Sequence, residues 1–303
     1  MEFGTYRFDC TLHQDAVLPP YKGSTFRGGF GLALKRTVCA LKRQDCPSCL
    51  LRDSCLYARV FEVKPPEHQY KRLAAAPHPY LIKPPLEKDR HYPAGSSFDF
   101  ELVLFGQFNQ SLPYFIYAMK QLGEKGIGKG QARFSVDNVT SDEQVIFNKE
   151  QAQLSIPQQL PMLTLKPSPA QPATVTLHLL TPLRLKHQGQ LARTLDFQTL
   201  MRAVLRRVSA LMSHYGEGEP SLDYRQLIAD AAQVTTIDNR LNWHDWQRYS
   251  NRQQEAMQFG GLTGNITFDP VPGEYLPLLE FVSQVSLGKQ TSFGLGQFVL
   301  EIR

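Results

Sequence analysis

Hydrophobic and polar positions alternate along several stretches of the chain. Residues 5–12, 98–107 and 133–136 follow a period of two and predict strands. Phe26, Phe30, Leu34 and Val38 recur every fourth residue and predict a first helix, with Ser24 as its N-cap. Residues 57–63 read as a further strand. In the second half, residues 173–186 predict a strand, and Phe197, Leu200, Met201, Val204, Leu205, Val208, Leu211 and Met212 trace one face of a long helix. A turn and strand follow over 260–268.

The two halves end alike. Leu112-Pro113 opens an apolar helical run that reaches Gly126-Ile127-Gly128-Lys129-Gly130-Gln131 and then a strand; Leu276-Pro277 opens another that reaches Gly288-Lys289, Gly294-Leu295-Gly296 and the terminal strand. A lone G-x-G is commonly a helix C-cap and turn, whereas a repeated one in register implies a duplicated module. Residues 151–172 turn to Pro, Gln and Ser and predict a linker between domains 1–150 and 173–303. The strand, helix, strand, strand, helix, strand order in each half is the split arrangement of ferredoxin-like, or RRM-like, folds. The predicted class is α+β with two such domains in tandem and a Cys-rich metal-binding insertion, at about 39–55, in the first.

At 303 residues and 42% hydrophobic, the chain suits two globular domains. It opens without a basic segment leading into an apolar one and has no run of about 18 apolar residues, which predicts a cytoplasmic protein with no membrane partner. A formal charge of +5 hides local excess: residues 22–90 hold fourteen Lys/Arg against six Asp/Glu, and residues 184–207 six against one. Such blocks favour a polyanion through counterion release, although a solvated basic face has the same composition.

The most specific local signal is Cys39-x6-Cys46-x2-Cys49-x5-Cys55. Four thiols so close together in a cytoplasmic-looking chain point to a metal rather than to disulfides. The spacing resembles the [4Fe-4S] loop of endonuclease III-type DNA glycosylases; structural zinc is the alternative, since soft thiolate sites accept either. Residues 243–253 mix aromatic, guanidinium and amide side chains, which suits stacking on unpaired bases and bonding to phosphates.

The segments TPLRLK (181–186), FQTLMRAVLRRVSALMSHYG (197–216), DWQRYSNRQ (245–253), GGLTGNITF (260–268) and LGKQTSFGLGQFVL (287–300) resemble the C-terminal domain of the CRISPR-associated RAMP-superfamily endoribonucleases, which cut precursor CRISPR RNA within its repeats. YKGSTFRGGFG (21–31), the cysteine loop and GIGKGQARF (126–134) resemble the N-terminal half of the cysteine-bearing branch. The resemblance implies repeat RNA, or crRNA, as partner, together with other effector-complex subunits, and a Gly-rich loop that approaches the RNA backbone. It also implies metal-independent cleavage by the ribose 2′-OH into a cyclic phosphate and a 5′-OH. A non-catalytic crRNA-binding subunit is the alternative.

The expected RNA contacts are Lys22, Arg27, Lys35, Arg184, Lys186, Arg202, Arg206, Arg248, Tyr249, Arg252, Gln253, Gly288, Lys289, Thr291, Ser292, Gly294 and Gly296. Members often carry a histidine just before the Gly-Lys of the last loop. This chain has Val285-Ser286-Leu287 there, and its first helix has no histidine either. His13 and His187, each at a strand end, are the expected proton-transfer residues, with Lys22 or Lys289 stabilising the phosphorane.

Overall fold

The structure is a computed structural model that describes residues 1–42, 45–63, 76–151, 153–155, 159–187, 189–250 and 255–303, with backbone alone for 247–250 and 255–258. It divides into two compact units, Met1–Met162 with His214–Gly216, and Leu163–Ser213 with Glu217–Arg303.

The N-terminal unit is built from β1 (Phe3–Leu12), α1 (Gly23–Val38), α2 (Leu56–Phe61), β2 (Tyr80–Lys83), β3 (Ser97–Phe105), α3 (Leu112–Lys125), β4 (Phe134–Ser141), β5 (Gln144–Asn148) and β6 (Gln153–Leu154). Its antiparallel sheet has the order β2-β3-β1-β4-β5-β6, whose first four strands are those of a ferredoxin-like fold. Alternation decides which face is buried. Tyr6, Phe8, Cys10 and Leu12 of β1 point into the core with Phe98, Phe100, Leu102 and Leu104 of β3, and Arg7 points out. Phe26 of α1 lies 4.9 Å, ring to ring, from Phe100, and Phe30 meets Tyr80 and Phe115 edge-on at 5.7 Å each.

The C-terminal unit repeats this plan with β7 (Ala173–Leu183), α4 (Phe197–Tyr215), α5 (Tyr224–Asp230), β8 (Thr235–Asn239), β9 (Gly261–Val271), α6 (Leu276–Val285) and β10 (Phe298–Ile302). The sheet order is β8-β9-β7-β10, again antiparallel throughout. The apolar face read on α4 is buried from Phe197 to Leu211, and Arg202 and Arg206 stand exposed on its back. Phe197 packs edge-on against Phe268 of β9 and Tyr275. The tandem ferredoxin-like fold is therefore present. Among the described residues, no helix is long and apolar enough to cross a membrane.

Two local expectations are corrected. Residues 57–63 are not a strand: Leu56–Phe61 is helical, because Tyr57 and Phe61, one turn apart, stack at 5.2 Å and Phe61 packs on Phe30 of α1. Tertiary packing overrides the β propensity of the segment. Ser24 is not an N-cap: α1 begins at Gly23, and Lys22 holds the cap position without a side-chain capping bond.

Phe30 is fully buried where α1, α2, β2 and α3 meet. Phe30→Ala is expected to cost about 3 to 5 kcal/mol through lost transfer energy and a cavity, read as a lowered urea midpoint.

Candidate nucleic-acid interface

Each unit places its Gly-rich loop between its last long helix and its final ferredoxin strand, and the two loops close in the same way. In the C-terminal unit the Lys289 N–H donates to the Arg184 carbonyl at 2.9 Å, and a Cβ on Gly288 would stand 2.5 Å from that same oxygen. In the N-terminal unit the Lys129 N–H donates to the Val17 carbonyl at 3.1 Å, and a Cβ on Gly128 would stand 2.5 Å from it. In both, a Gly-Lys pair is closed onto a carbonyl lying just beyond the first strand. Both glycines have positive φ, +91° at Gly288 and +69° at Gly128, so only glycine suits the position on either count.

The rest of the C-terminal loop is held from within. Gly296 N–H donates to Pro182 O and its own carbonyl accepts from Leu287 N–H. The Gly294 carbonyl accepts from the Thr181 hydroxyl at 2.9 Å and from the Gln297 amide at 2.7 Å. Arg207 donates to the carbonyls of Val285 and Ser286, which end α6. Thr291 and Ser292 are buried, and the methyl position of Gly296 is filled by the Leu287 carbonyl. Lys289 alone among the expected loop donors is exposed.

A cavity of about 350 Å³ lies in the same unit, lined by Lys186, His187, Thr199, Arg202, Ala203 and Arg206. Lys289 belongs to this group electrostatically. Partial burial, then the charges of Lys186, Arg184 and Arg206, push its pKa down. Four expected RNA contacts, Lys186, Arg202, Arg206 and Lys289, and one expected proton-transfer residue, His187, are thus gathered on one unit. The sequence signal for this was the cationic run 184–207.

Other expected contacts lie elsewhere. Arg184 is 7% exposed; its guanidinium donates to the Gly260 carbonyl at 2.5 Å and lies over Phe259, so it braces the loop. Lys22 is fully buried in the N-terminal unit, where its ammonium donates to the Glu87 carbonyl near the Tyr92 ring. Burial lowers its pKa, against the opposing pull of Glu87 and Asp89. Arg27 lies over Phe61 and Lys35 over Tyr57. His13 is exposed past the end of β1. Arg252 and Gln253 lie outside the described residues, as do the side chains of Arg248 and Tyr249.

All four clustered cysteines are free and partly buried. Burial lowers the Lys35 pKa, but Cys46, Tyr57 and Cys39 outweigh it and raise the value overall, which puts an ammonium beside two of the thiols. Among the described residues, no group of three or more His, Cys, Asp or Glu is arranged to hold a metal ion. As they stand, the thiols do not form the four-donor set that a cubane or structural zinc needs.

The open sheet faces are not basic. On the N-terminal sheet, Arg7 is bonded to Asp9 and lies 3.5 Å from Asp99, Lys83 pairs with Glu101, and Asp137 accepts from Thr11 and Ser135. On the C-terminal sheet, His178 bonds Glu301 at 3.0 Å. The exposed tyrosines, Tyr114 and Tyr117, are on α3 rather than on a sheet. Base stacking on a sheet, the usual RRM mode, has no exposed aromatic platform among the described residues.

Comparisons with known proteins accord with this architecture. A model for the AF_1859_N N-terminal domain matches residues 1–159, and a model for the CRISPR-associated endoribonuclease Cas6 matches residues 177–298. An uncharacterized protein of Archaeoglobus fulgidus is 25% identical over 286 residues, covering 93% of this chain and 92% of its own. A Cas6 product complex superimposes with a TM-score of 0.62 at 15% identity, covering 99% of this chain and 100% of the other. A Thermus thermophilus Cas6 gives 0.55 at 14% identity, covering 99% and 98%. A partial Cas6-RT-Cas1–Cas2 complex gives 0.60 at 13% identity, covering all of this chain and 46% of the other. At these identities the structural matches show the fold.

Gly296→Ala sets a methyl 1.8 Å from the Leu287 carbonyl at a positive φ and is expected to cost about 2 kcal/mol or more, read by denaturation. Lys289→Met is expected to act oppositely. The depressed pKa means that the charged form is disfavoured in the fold. The variant should therefore raise the melting temperature below Lys289's lowered pKa, by no more than about 0.5 kcal/mol in equivalent stability because solvent screens this exposed ammonium. The gain should shrink with added salt and vanish as pH rises past the unfolded lysine value.

Proposed function

The chain belongs to the CRISPR-associated RAMP superfamily, with an AF_1859_N-type N-terminal domain and a Cas6-type C-terminal domain, and from that premise we propose that it binds CRISPR repeat RNA and cuts precursor CRISPR RNA without a metal ion. The observation that carries this reading is the cavity lined by Lys186, His187, Arg202 and Arg206, with Lys289 beside it. These side chains supply positive charge for phosphates and one imidazole able to move a proton.

In the proposed reaction the 2′-oxygen loses its proton to a base and attacks the adjacent phosphorus. The bond from phosphorus to the 5′-oxygen breaks, and that oxygen takes up a proton. The products are a 2′,3′-cyclic phosphate and a 5′-hydroxyl, and no oxidant or water is consumed. His187 is the proposed proton-transfer group, and Lys289 and Arg206 the cations that stabilise the crowded phosphorane. Lys22, buried against Glu87, is not given this part. His13 is the second candidate.

One observation favours a non-catalytic crRNA-binding subunit as the second reading. Val285-Ser286-Leu287, which precedes the Gly-Lys of the loop, holds no histidine and is fully packed. Incubation of the purified protein with a repeat-containing transcript and no divalent cation, with a 2′-deoxy nucleotide at the scissile position as control, separates the two. Cleavage of the ribo form alone supports the enzyme; tight binding of intact RNA supports the subunit. If the protein cuts, His187→Ala is expected to slow cleavage by about 10² to 10⁴ while repeat binding holds. Parental rates in both His187→Ala and His13→Ala would remove histidine from the mechanism.

The reading also includes a metal at Cys39, Cys46, Cys49 and Cys55, supported by their spacing. Ligation would have to draw the thiols together and fold the segment around the metal. Anaerobically purified protein is expected to contain iron and acid-labile sulfide. Stoichiometric zinc in iron-replete, oxygen-free preparations would select the alternative, and absence of both would discard the metal.

A further inference from the structure

The two Gly-rich loops share their closure but differ in what they leave open. In the C-terminal loop the methyl positions of Gly288 and Gly296 are filled by the Arg184 and Leu287 carbonyls. In the N-terminal loop Gly126 and Gly128 are similarly filled, but nothing lies within 4 Å of the methyl position of Gly130, whose φ is +95°. Gly130 is glycine because of its backbone conformation and not because of packing. It leaves bare main chain facing open space.

The side chains around that bare main chain are cationic. Lys129 and Arg133 are both exposed, and the Arg133 carbonyl accepts the His13 N–H at 2.8 Å, which brings the exposed end of β1 to the same place. Lys125 at the end of α3 is exposed as well. Two carboxylates share these segments, Asp15, which accepts the Ala94 N–H, and Glu124, which accepts the Gln121 amide, against the three cations Lys125, Lys129 and Arg133. Lys129 is also the counterpart of Lys289, since each N–H closes onto the carbonyl beyond the first strand of its unit.

We propose that Lys129, Gly130 and Arg133, with His13 at their edge, form a second phosphodiester-binding site, on the N-terminal unit, for the RNA backbone. This rests on the RNA-binding reading above. Glycine lets a phosphate oxygen approach the main chain, and the flanking cations neutralise its charge. Main-chain and cation contacts to phosphate carry no sequence information, so the contribution of Lys129, Gly130 and Arg133 is sequence-independent and salt-sensitive.

The test is fluorescence anisotropy of a labelled CRISPR repeat transcript from the source genome, titrated with the full-length protein at several KCl concentrations. Lys129→Ala with Arg133→Ala is expected to weaken binding about tenfold. It should also reduce the slope of log K against log salt by about 1.4, since each phosphate contact to single-stranded RNA contributes about 0.7. Lys129→Arg with Arg133→Lys should keep the parental slope, which a purely structural role would not require. Parental slope and affinity in the double alanine variant, alongside lost affinity in Arg202→Ala with Arg206→Ala, would overturn this site while leaving RNA binding on the C-terminal unit. If the parent binds no RNA, both readings fall.

Discussion

One backbone hydrogen bond, made twice, fixes the architecture on which the proposed interface depends. In each unit the N–H of a Gly-Lys lysine meets a carbonyl just past the first strand, Val17 in one and Arg184 in the other. The preceding glycine must lack a side chain because the same oxygen occupies the space. This bond ties the turn after the last long helix, α3 or α6, to the chain that follows the first strand. A lysine side chain is left exposed beside it, so the cation is held on a scaffold rather than on a free loop.

The cations divide accordingly. Arg207 and Lys22 donate to protein carbonyls, Arg184 donates one bond to the Gly260 carbonyl, and all three serve the fold. Lys186, Arg202 and Arg206 instead line one cavity, and partial burial, then the charges of Lys186, Arg184 and Arg206, lower the Lys289 pKa beside it. Unrelieved like charge is destabilising in the free protein and is relieved when a polyanion binds. The open sheet faces, where carboxylates such as Asp9, Asp99 and Glu101 lie among bonded cations, give no such relief to an RNA.

Much of the fold was legible in the sequence because alternation and the period near four depend only on which face meets the core. Tyr6, Phe8 and Cys10, and the α4 stripe from Phe197 to Leu211, follow that rule. Residues 57–63 misled because a short apolar segment carries no period, and its contact with Phe30 comes from elsewhere in the chain. The site was legible as charge but not as exposure. Composition cannot distinguish Lys22, buried against Glu87, from Lys289, nor show that Thr291 and Ser292 face inward. The cysteine spacing was the sharpest local pattern, yet spacing fixes neighbours along the chain and not the convergence of four thiols in space.

The central claim is that RNA lies on the loop and helix surfaces rather than on the sheets. Ultraviolet crosslinking of a bound repeat transcript, followed by mass spectrometry of the adducted peptides, tests it most directly. The account predicts adducts in peptides that carry Lys186-His187, Arg202 to Arg206, or Lys289. Adducts confined to the open sheet faces, at β1 and β3 or at β7 and β10, would contradict it.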